Sequence, residues 1–358
     1  MNEKITWLND AVKQWDQKSL DAAQEHQAQL TKPPGALGRL EDLAVNLAAM
    51  QGRVKPELEN IYICVFAGDH GVTEENISAF PQAVTAQMVE NFVHGGAAIS
   101  VLAEQLNANL VVVDVGVNAP ASSSTKVVNK RVVDGTKNFA KQAAMSESEL
   151  QSALDVGHKI AEQAASDHAH VFVGGEMGIG NTTSATALAA AELNIAVALL
   201  VGPGTGLDAD GVAHKRQVIE LALQKHRAAT ETNLMRLQYF AGVEIVALVG
   251  AYLRCAQLGI PVLVDGFITT VAALYAQSIN YNVSDWFIYA HQSQEPGHQH
   301  VLSALKARAI LDLGMRLGEG SGAAMAVSIL RNAIALHNNM ATFEQAGVAG
   351  KNTAAKTA

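Results

Sequence analysis

Six short apolar runs, each ending in glycine or a polar loop, restrict this chain more than any other feature. They are IYICVFAGDHG (61–71), LVVVDVG (110–116), HVFVGGEMG (170–178), AVALLVGPGTG (196–206), PVLVDGFITT (261–270) and DWFIYAHQS (285–293), and amphipathic or alanine-rich stretches separate most of them. Continuous apolar runs read as strands covered on both faces, and helical crossovers supply the cover. The expected fold is α/β, a doubly wound parallel sheet of about six strands. Residues 117–142 break the alternation and read as an excursion, a small hairpin around Asp134-Gly135. Ser146 and Glu149 then form a capping box that opens a helix.

Both ends of the chain depart from this pattern. Ile5, Leu8, Val12 and Trp15 recur at steps of three and four, the stripe of an amphipathic helix that Pro33-Pro34-Gly35 stops; Leu40, Leu43, Leu47 and Met50 repeat the spacing. After residue 300 the chain is again helical, with Gly318 to Gly322 interrupting it and Met325, Ile329, Ala333 and Leu336 continuing on one face. The expected organisation is N-terminal helices over 1–55, an α/β domain over 56–304 and C-terminal helices over 305–358, the two ends forming one small helical domain. Residues 346–358 are small and polar enough to be a frayed tail. No internal repeat is visible.

Composition narrows the function. With 25 Lys+Arg against 34 Asp+Glu the formal net charge is −9, so nucleic acid has no general electrostatic reason to bind. Only 16% of residues are charged and 49% are hydrophobic, which is material for a large core and excludes disorder over most of the length. Cys64 and Cys255 sit in apolar contexts without a partner at metal-ligand spacing, so both read as reduced core thiols and the address as cytoplasmic. The first residues lack the basic start and apolar region of a signal peptide, and the apolar stretches break before membrane-spanning length.

Ligands of an open parallel sheet gather beyond the carboxyl ends of its strands, so the loops there carry the chemistry. In GGEMGIGNTTSATAL (174–188), glycines and the opening of a helix at Asn181-Thr182-Thr183 make a phosphate cradle, although an ordinary strand-helix turn has the same form. Gly202 to Gly206 is a second such loop, followed by Lys215, which either supplies a point charge to a phosphate or is a solvated helix lysine. In Arg316 to Gly322 a carboxylate, Glu319, stands between glycines on closely approachable backbone. That suits a base reaching for a ligand proton, and equally an acid at a helix start. His291, His298 and His300 lie on a Gly/Pro loop without a zinc pattern, so no metal is expected.

These residues carry a resemblance. TKPPGALGRLE (31–41), AGDHGV (67–72), FPQAVTAQMV (80–89), GEMGIGNTT (175–183), VDGFITTVAAL (264–274), HQSQEPGH (291–298) and MRLGEGSGAA (315–324) together resemble the nicotinate-nucleotide:dimethylbenzimidazole phosphoribosyltransferase family, in order and over nearly the whole chain. The resemblance implies a Rossmann-like sheet, a homodimer, and no metal or organic cofactor. It implies transfer of the phosphoribosyl group of nicotinate mononucleotide to 5,6-dimethylbenzimidazole with inversion at C1′. The products are then α-ribazole 5′-phosphate and nicotinate, in assembly of the cobalamin lower ligand.

By motif position Glu319, between Gly318 and Gly320, is then the base, and Glu176 orients the acceptor or offsets charge at C1′. The donor phosphate is expected against the amides of Gly178 to Thr182, Asn181 among them, with Lys215 and Ser293 close by and Gly204 permitting approach. Phe80, Pro81 and Met88 are expected to line an acceptor slot. Some members have Ser and Gln where Phe80 and Met88 align, and Gln87, one residue away, is a candidate substitute.

Three other functions compete on the sequence alone. A dehydrogenase would show G-x-G-x-x-G after the first strand, where this chain has Gly68-Asp69-His70-Gly71. A diphosphate-dependent phosphoribosyltransferase would want adjacent acids at a strand end, where Asp114 stands alone. A noncatalytic nucleotide sensor has no need of Glu319.

Overall fold

The computed structural model describes residues 3–349. Within them the chain divides into two compact units: the chain up to Lys13 with Asn60–Ala326, and Gln14–Glu59 with the chain from Val327 onward. These boundaries differ from the expected cuts near 55 and 304. The amide of Lys13 reaches the carbonyl of Ala256 and the Trp286 indole donates to Lys13, which ties the first residues to the larger unit. Past residue 305, Leu311 bonds to Ala290 and Gln294 to Met315, so the loop carrying Glu319 belongs there too.

In the smaller unit, α1 (Gln17–Gln29) and α2 (Arg39–Gln51) pack Leu20, Ala23, Val45 and Ala48 together. Lys32, in the turn between them, is buried and pairs with Glu41 at 2.9 Å. The stripe from Ile5 to Trp15 is not one helix. Ile5 leaves helical geometry (φ −128°), and Asp16 starts α1 afresh by accepting from the Ser19 amide at 2.7 Å.

The larger unit is built on six strands: β1 (Ile61–Gly68), β2 (Asn109–Gly116), β3 (Val127–Asn129), β4 (Val171–Met177), β5 (Val262–Val264) and β6 (Phe287–Tyr289). They form one sheet in the order β3-β2-β1-β4-β5-β6, every neighbouring pair parallel. The chain order reverses between β1 and β4, where such sheets bind their ligands. The helices of this unit are α3 (Val84–Val93), α4 (Ala98–Leu106), α5 (Glu147–Ser166), α6 (Asn181–Leu193), α7 (Ala209–His226), α8 (Asn233–Phe240), α9 (Val243–Leu258), α10 (Phe267–Ile279) and α11 (Pro296–Ala304). A last long helix, α12 (Ser321–Asn339), starts in this unit and runs out of it.

Two strand expectations are overturned. AVALLVG is not a strand: Leu199, Leu200 and Val201 spend their amides on carbonyls three or four residues back, and β4 already has β1 and β5 on its two sides. The sixth strand comes instead from the 117–142 excursion, where β3 pairs parallel with β2 and is no hairpin. Ser146 and Glu149 do form the capping box of α5. On α12 the buried stripe is Ala323, Val327, Leu330 and Ile334, while Met325 is exposed. Asp265 accepts from the Ala323 amide in the first turn of this helix, where Ala323 and Ala324 are buried.

Close helix packing rests on two glycines. A methyl group on Gly157 of α5 would strike the Ala247 carbonyl of α9, and one on Gly250 of α9 would strike the Leu154 carbonyl of α5. Cys64 and Cys255 are buried thiols, and burial pushes both up from the ordinary cysteine range. No helix of the described residues is long and apolar enough to cross a membrane. Of the tail expected to fray, residues 350–358 lie outside the described residues.

Candidate active site

A cavity of about 350 Å³ opens at the carboxyl ends of β4, β5 and β6, inside the larger unit. Of the expected residues, Phe80, Met88, Glu176, Gly178, Asn181, Thr182, Gly204, Ser293, Gly318 and Glu319 line it. Pro81, Gln87, Lys215 and Gly320 do not.

Each exception has a local cause. Val84 and Met88 stand four apart on α3 and so share its cavity-facing side, whereas Gln87, one residue from Met88, turns about 100° away and lines a separate concavity beside Asp114. It cannot replace a glutamine at Met88. Pro81 is exposed, and Val84 takes its place in the wall. Gly320 lies beneath, packed on Gly175 and Val173 of β4. Lys215 is no solvated helix lysine: it is 1% exposed, and its Nζ donates to Thr182 Oγ1 at 2.8 Å and to the Gly202 carbonyl at 3.4 Å. Burial lowers it to about 8, against the opposing pull of the Glu295 charge.

Glu319 sits in strained backbone. Its φ of 66° lies between Gly318 at 91° and Gly320 at 84°, three successive left-handed residues, and only the outer two are glycine. Asp265, just past β5, holds this loop from behind: its Oδ1 accepts from the Ala323 amide at 2.7 Å, with the Gly320 and Gly322 amides nearby and His291 Nε2 at 3.8 Å. Glu319 Oε2 is buried and has no hydrogen-bond partner among the described residues. Burial raises the Glu319 carboxyl above the usual range, opposed by the Ile99 amide at the start of α4 and reinforced by the charge of Asp265.

Glu176, the penultimate residue of β4, accepts from Asn181 Nδ2. Burial first, then the charges of Glu244, Asp265 and Glu319, push its carboxyl well above the ordinary range. Gly318 lies so close to that carboxyl that any side chain there would strike it. The two acids thus share one end of the cavity, and burial drives both toward the neutral form.

The expected amide cradle is partly spent. The Ile179 amide donates to Thr85 Oγ1 at 3.1 Å and the Asn181 amide to the Gly178 carbonyl at 3.0 Å. Polar groups gather instead around the Gly202–Gly206 loop, where Lys215 bonds Thr182, Arg316 Nη1 donates to the Gly204 carbonyl at 3.0 Å, and a methyl on Gly204 would crowd both Thr182 and Lys215.

Sequence reasoning missed Asp265, Glu295 and the pair His70–Glu244. His70 Nε2 meets Glu244 Oε1 at 2.7 Å, both buried, and the His70 ring lies against Gly178 and Gly242. Asp265 had a signal, an acid directly after a strand. The His70–Glu244 pair, 174 residues apart in sequence, had none. His298 is a framework residue: its ring accepts from the Ser293 amide at 2.8 Å and meets Thr270 Oγ1 at 2.9 Å, and burial lowers it to about 3. Among the described residues no group of three or more His, Cys, Asp or Glu is placed to hold a metal ion.

Comparison with known proteins identifies the family. Residues 12–348 match the family model described as Phosphoribosyltransferase. A nicotinate-nucleotide–dimethylbenzimidazole phosphoribosyltransferase of Pseudomonas fluorescens is 54% identical over 346 residues, 97% of this chain and 99% of that protein. One of the same name from Pseudomonas putida is 54% identical over 96% of this chain and 98% of its own. The solved structure of CobT from Thermus thermophilus superposes with a TM-score of 0.89 at 43% identity, covering 93% of this chain and 99% of that one. With more than half its residues shared over nearly the full length of both chains, and the fold shared as well, this chain belongs to the nicotinate-nucleotide–dimethylbenzimidazole phosphoribosyltransferase family.

Proposed function

We propose that this chain transfers the phosphoribosyl group of nicotinate mononucleotide to 5,6-dimethylbenzimidazole, releasing nicotinate and forming α-ribazole 5′-phosphate for the cobalamin lower ligand. The observation that carries the reading is Glu319, a buried carboxyl with an open oxygen, held in a strained glycine loop at a cavity wall. Nicotinate leaves as a neutral ring nitrogen and needs no acid. The benzimidazole does need a base, because its second nitrogen becomes acidic as the first attacks C1′. Of the two carboxyls, Glu176 already accepts from Asn181, whereas Glu319 keeps an oxygen without a partner among the described residues, so Glu319 takes the proton. Glu176, which burial favours in its neutral form, orients the acceptor. Attack opposite the departing ring inverts the linkage from β to α. The test is chromatographic: nicotinate should appear only when a benzimidazole is added, and absence of turnover with every candidate base would leave a nucleotide-binding protein without this activity. Family likeness further supports a homodimer, and the buried thiols a cytoplasmic address.

The donor phosphate is read as lying beside Thr182, Gly204 and Ser293, within reach of Lys215. Lys215→Ala is then expected to weaken nicotinate mononucleotide binding by about 1.5–3 kcal/mol, the worth of a charged hydrogen bond. Calorimetry giving unchanged affinity would remove Lys215 from the donor site.

Phe80, Val84 and Met88 form an apolar wall for the acceptor, offering stacking and dispersion but almost no hydrogen bonds. A purine's extra ring nitrogens would lose water without finding partners, at about 1–3 kcal/mol each. Dimethylbenzimidazole should therefore outcompete adenine in a mixed assay, and Phe80→Ala should narrow the gap. Equal kcat/KM for the two bases in the wild type would show that this wall does not select.

A further inference from the structure

Glu295 is a buried carboxylate beside the expected phosphate position that the transfer chemistry leaves without a role. It is 6% exposed, precedes α11, and lines the same cavity as Ser293 and Arg316. Its Oε2 lies against Gly202, leaving no space for a side chain there, and has no hydrogen-bond partner among the described residues. The charged groups that face it are Lys215 from α7 and Arg316 from the loop before α12, while the Gly204 amide approaches its carboxyl. His298 from α11, lowered to about 3, stays neutral beside them.

A charge count makes this position unusual. Lys215 and Glu295 balance each other inside the protein, and Arg316 at the cavity mouth is exposed and screened. A phosphate dianion entering here adds two negative charges to a region with one exposed cation to spare. Buried, uncompensated charge is costly, and a carboxyl group relieves it most cheaply by binding a proton. Neutral Glu295 then has an O–H to donate to a phosphate oxygen, where the carboxylate would only repel it.

We propose that the Glu295 carboxylate takes up one proton from solvent when the phosphate of the donor nucleotide docks, and returns it as a hydrogen bond to that phosphate. The inference rests on the donor site read above. Glu295 is prepared for the step, since burial already raises its carboxyl, against the pull of Lys215 and Arg316. Donor affinity should therefore weaken as pH rises through the range where the bound carboxyl would have to give up its proton.

The experiment is calorimetric titration of the full chain with nicotinate mononucleotide, in buffers of different ionisation enthalpy, from pH 7 to pH 9. At pH 7 or above the phosphate itself is mostly dianionic, so its own proton release is small. The wild type should take up protons on binding near pH 7, with the uptake falling toward pH 9, and Glu295→Gln should abolish most of that uptake while still binding the nucleotide. Binding without uptake would overturn the inference and leave the donor site standing. So would uptake that survives Glu295→Gln, or wild-type uptake that grows toward pH 9, which is the signature of Lys215 with its value of about 8. The wild-type pH profile decides between the two groups even if the variant does not fold. No binding of nicotinate mononucleotide at any pH would sink the donor site itself.

Discussion

Glu319→Gln is expected to lower kcat by about 10² to 10⁴, the usual cost of losing a general base, while leaving the affinity for nicotinate mononucleotide within about twofold. The substitution keeps size and the left-handed backbone, and removes only the capacity to accept a proton. In the wild type the base works ionised, and its carboxyl is raised by burial. The rate should therefore climb with pH through a range above that of an ordinary glutamate, and the glutamine variant should lose that rise. A variant retaining near wild-type kcat at neutral pH would transfer the role elsewhere, with Glu176 the first alternative.

Gly175→Ala should be almost as damaging, although residue 175 touches no substrate. Gly175 sits in β4 with its α-carbon directed at the Glu319 loop: an added methyl would strike the Glu319 carbonyl and approach the Gly320 amide to 3.0 Å. These are backbone atoms, which cannot swing aside as a side chain can. Either the loop shifts or the strand does. Overpacking of this kind costs about 1–3 kcal/mol of stability, and a displacement of about 1 Å at the base costs on the order of 10² in rate. The expected signature is a kcat loss larger than any change in donor affinity, with a lowered but cooperative thermal transition. If kcat stays within about threefold of wild type, the loop is more compliant than its contacts imply.

How much of this was legible depends on range. β1 and β4 could be read directly, because strands buried on both faces leave continuous apolar runs; every residue of β1 is buried. The same logic misled at AVALLVG, where an apolar run packs as a single helical turn. It also missed β3, three residues flanked by polar sequence, whose place is set by β2 and not by its own composition. Glu319 was legible because glycines on both sides mark a conformation few other residues adopt. The burial of Lys215 was not, since it depends on Thr182 and the Gly202 carbonyl closing over a helix that reads as solvated. Nor was Asp265's grip on the Glu319 loop, which joins positions far apart in the chain. Spacing carries information about neighbours on one element, and site electrostatics arise between elements.

The pairing of β1 with β4 also has a kinetic consequence. Ile61 aligns with Val171, so the central strand pair of the sheet closes a loop of more than a hundred residues before any of its hydrogen bonds form. Such closure loses chain entropy before contacts repay it, which places folding of this unit in the slow, high contact-order regime. The cavity draws its walls from segments between Phe80 and Glu319, so no fragment released early in synthesis contains a working site. Activity must appear late in refolding, after the sheet has joined, and should lag behind the recovery of helical signal.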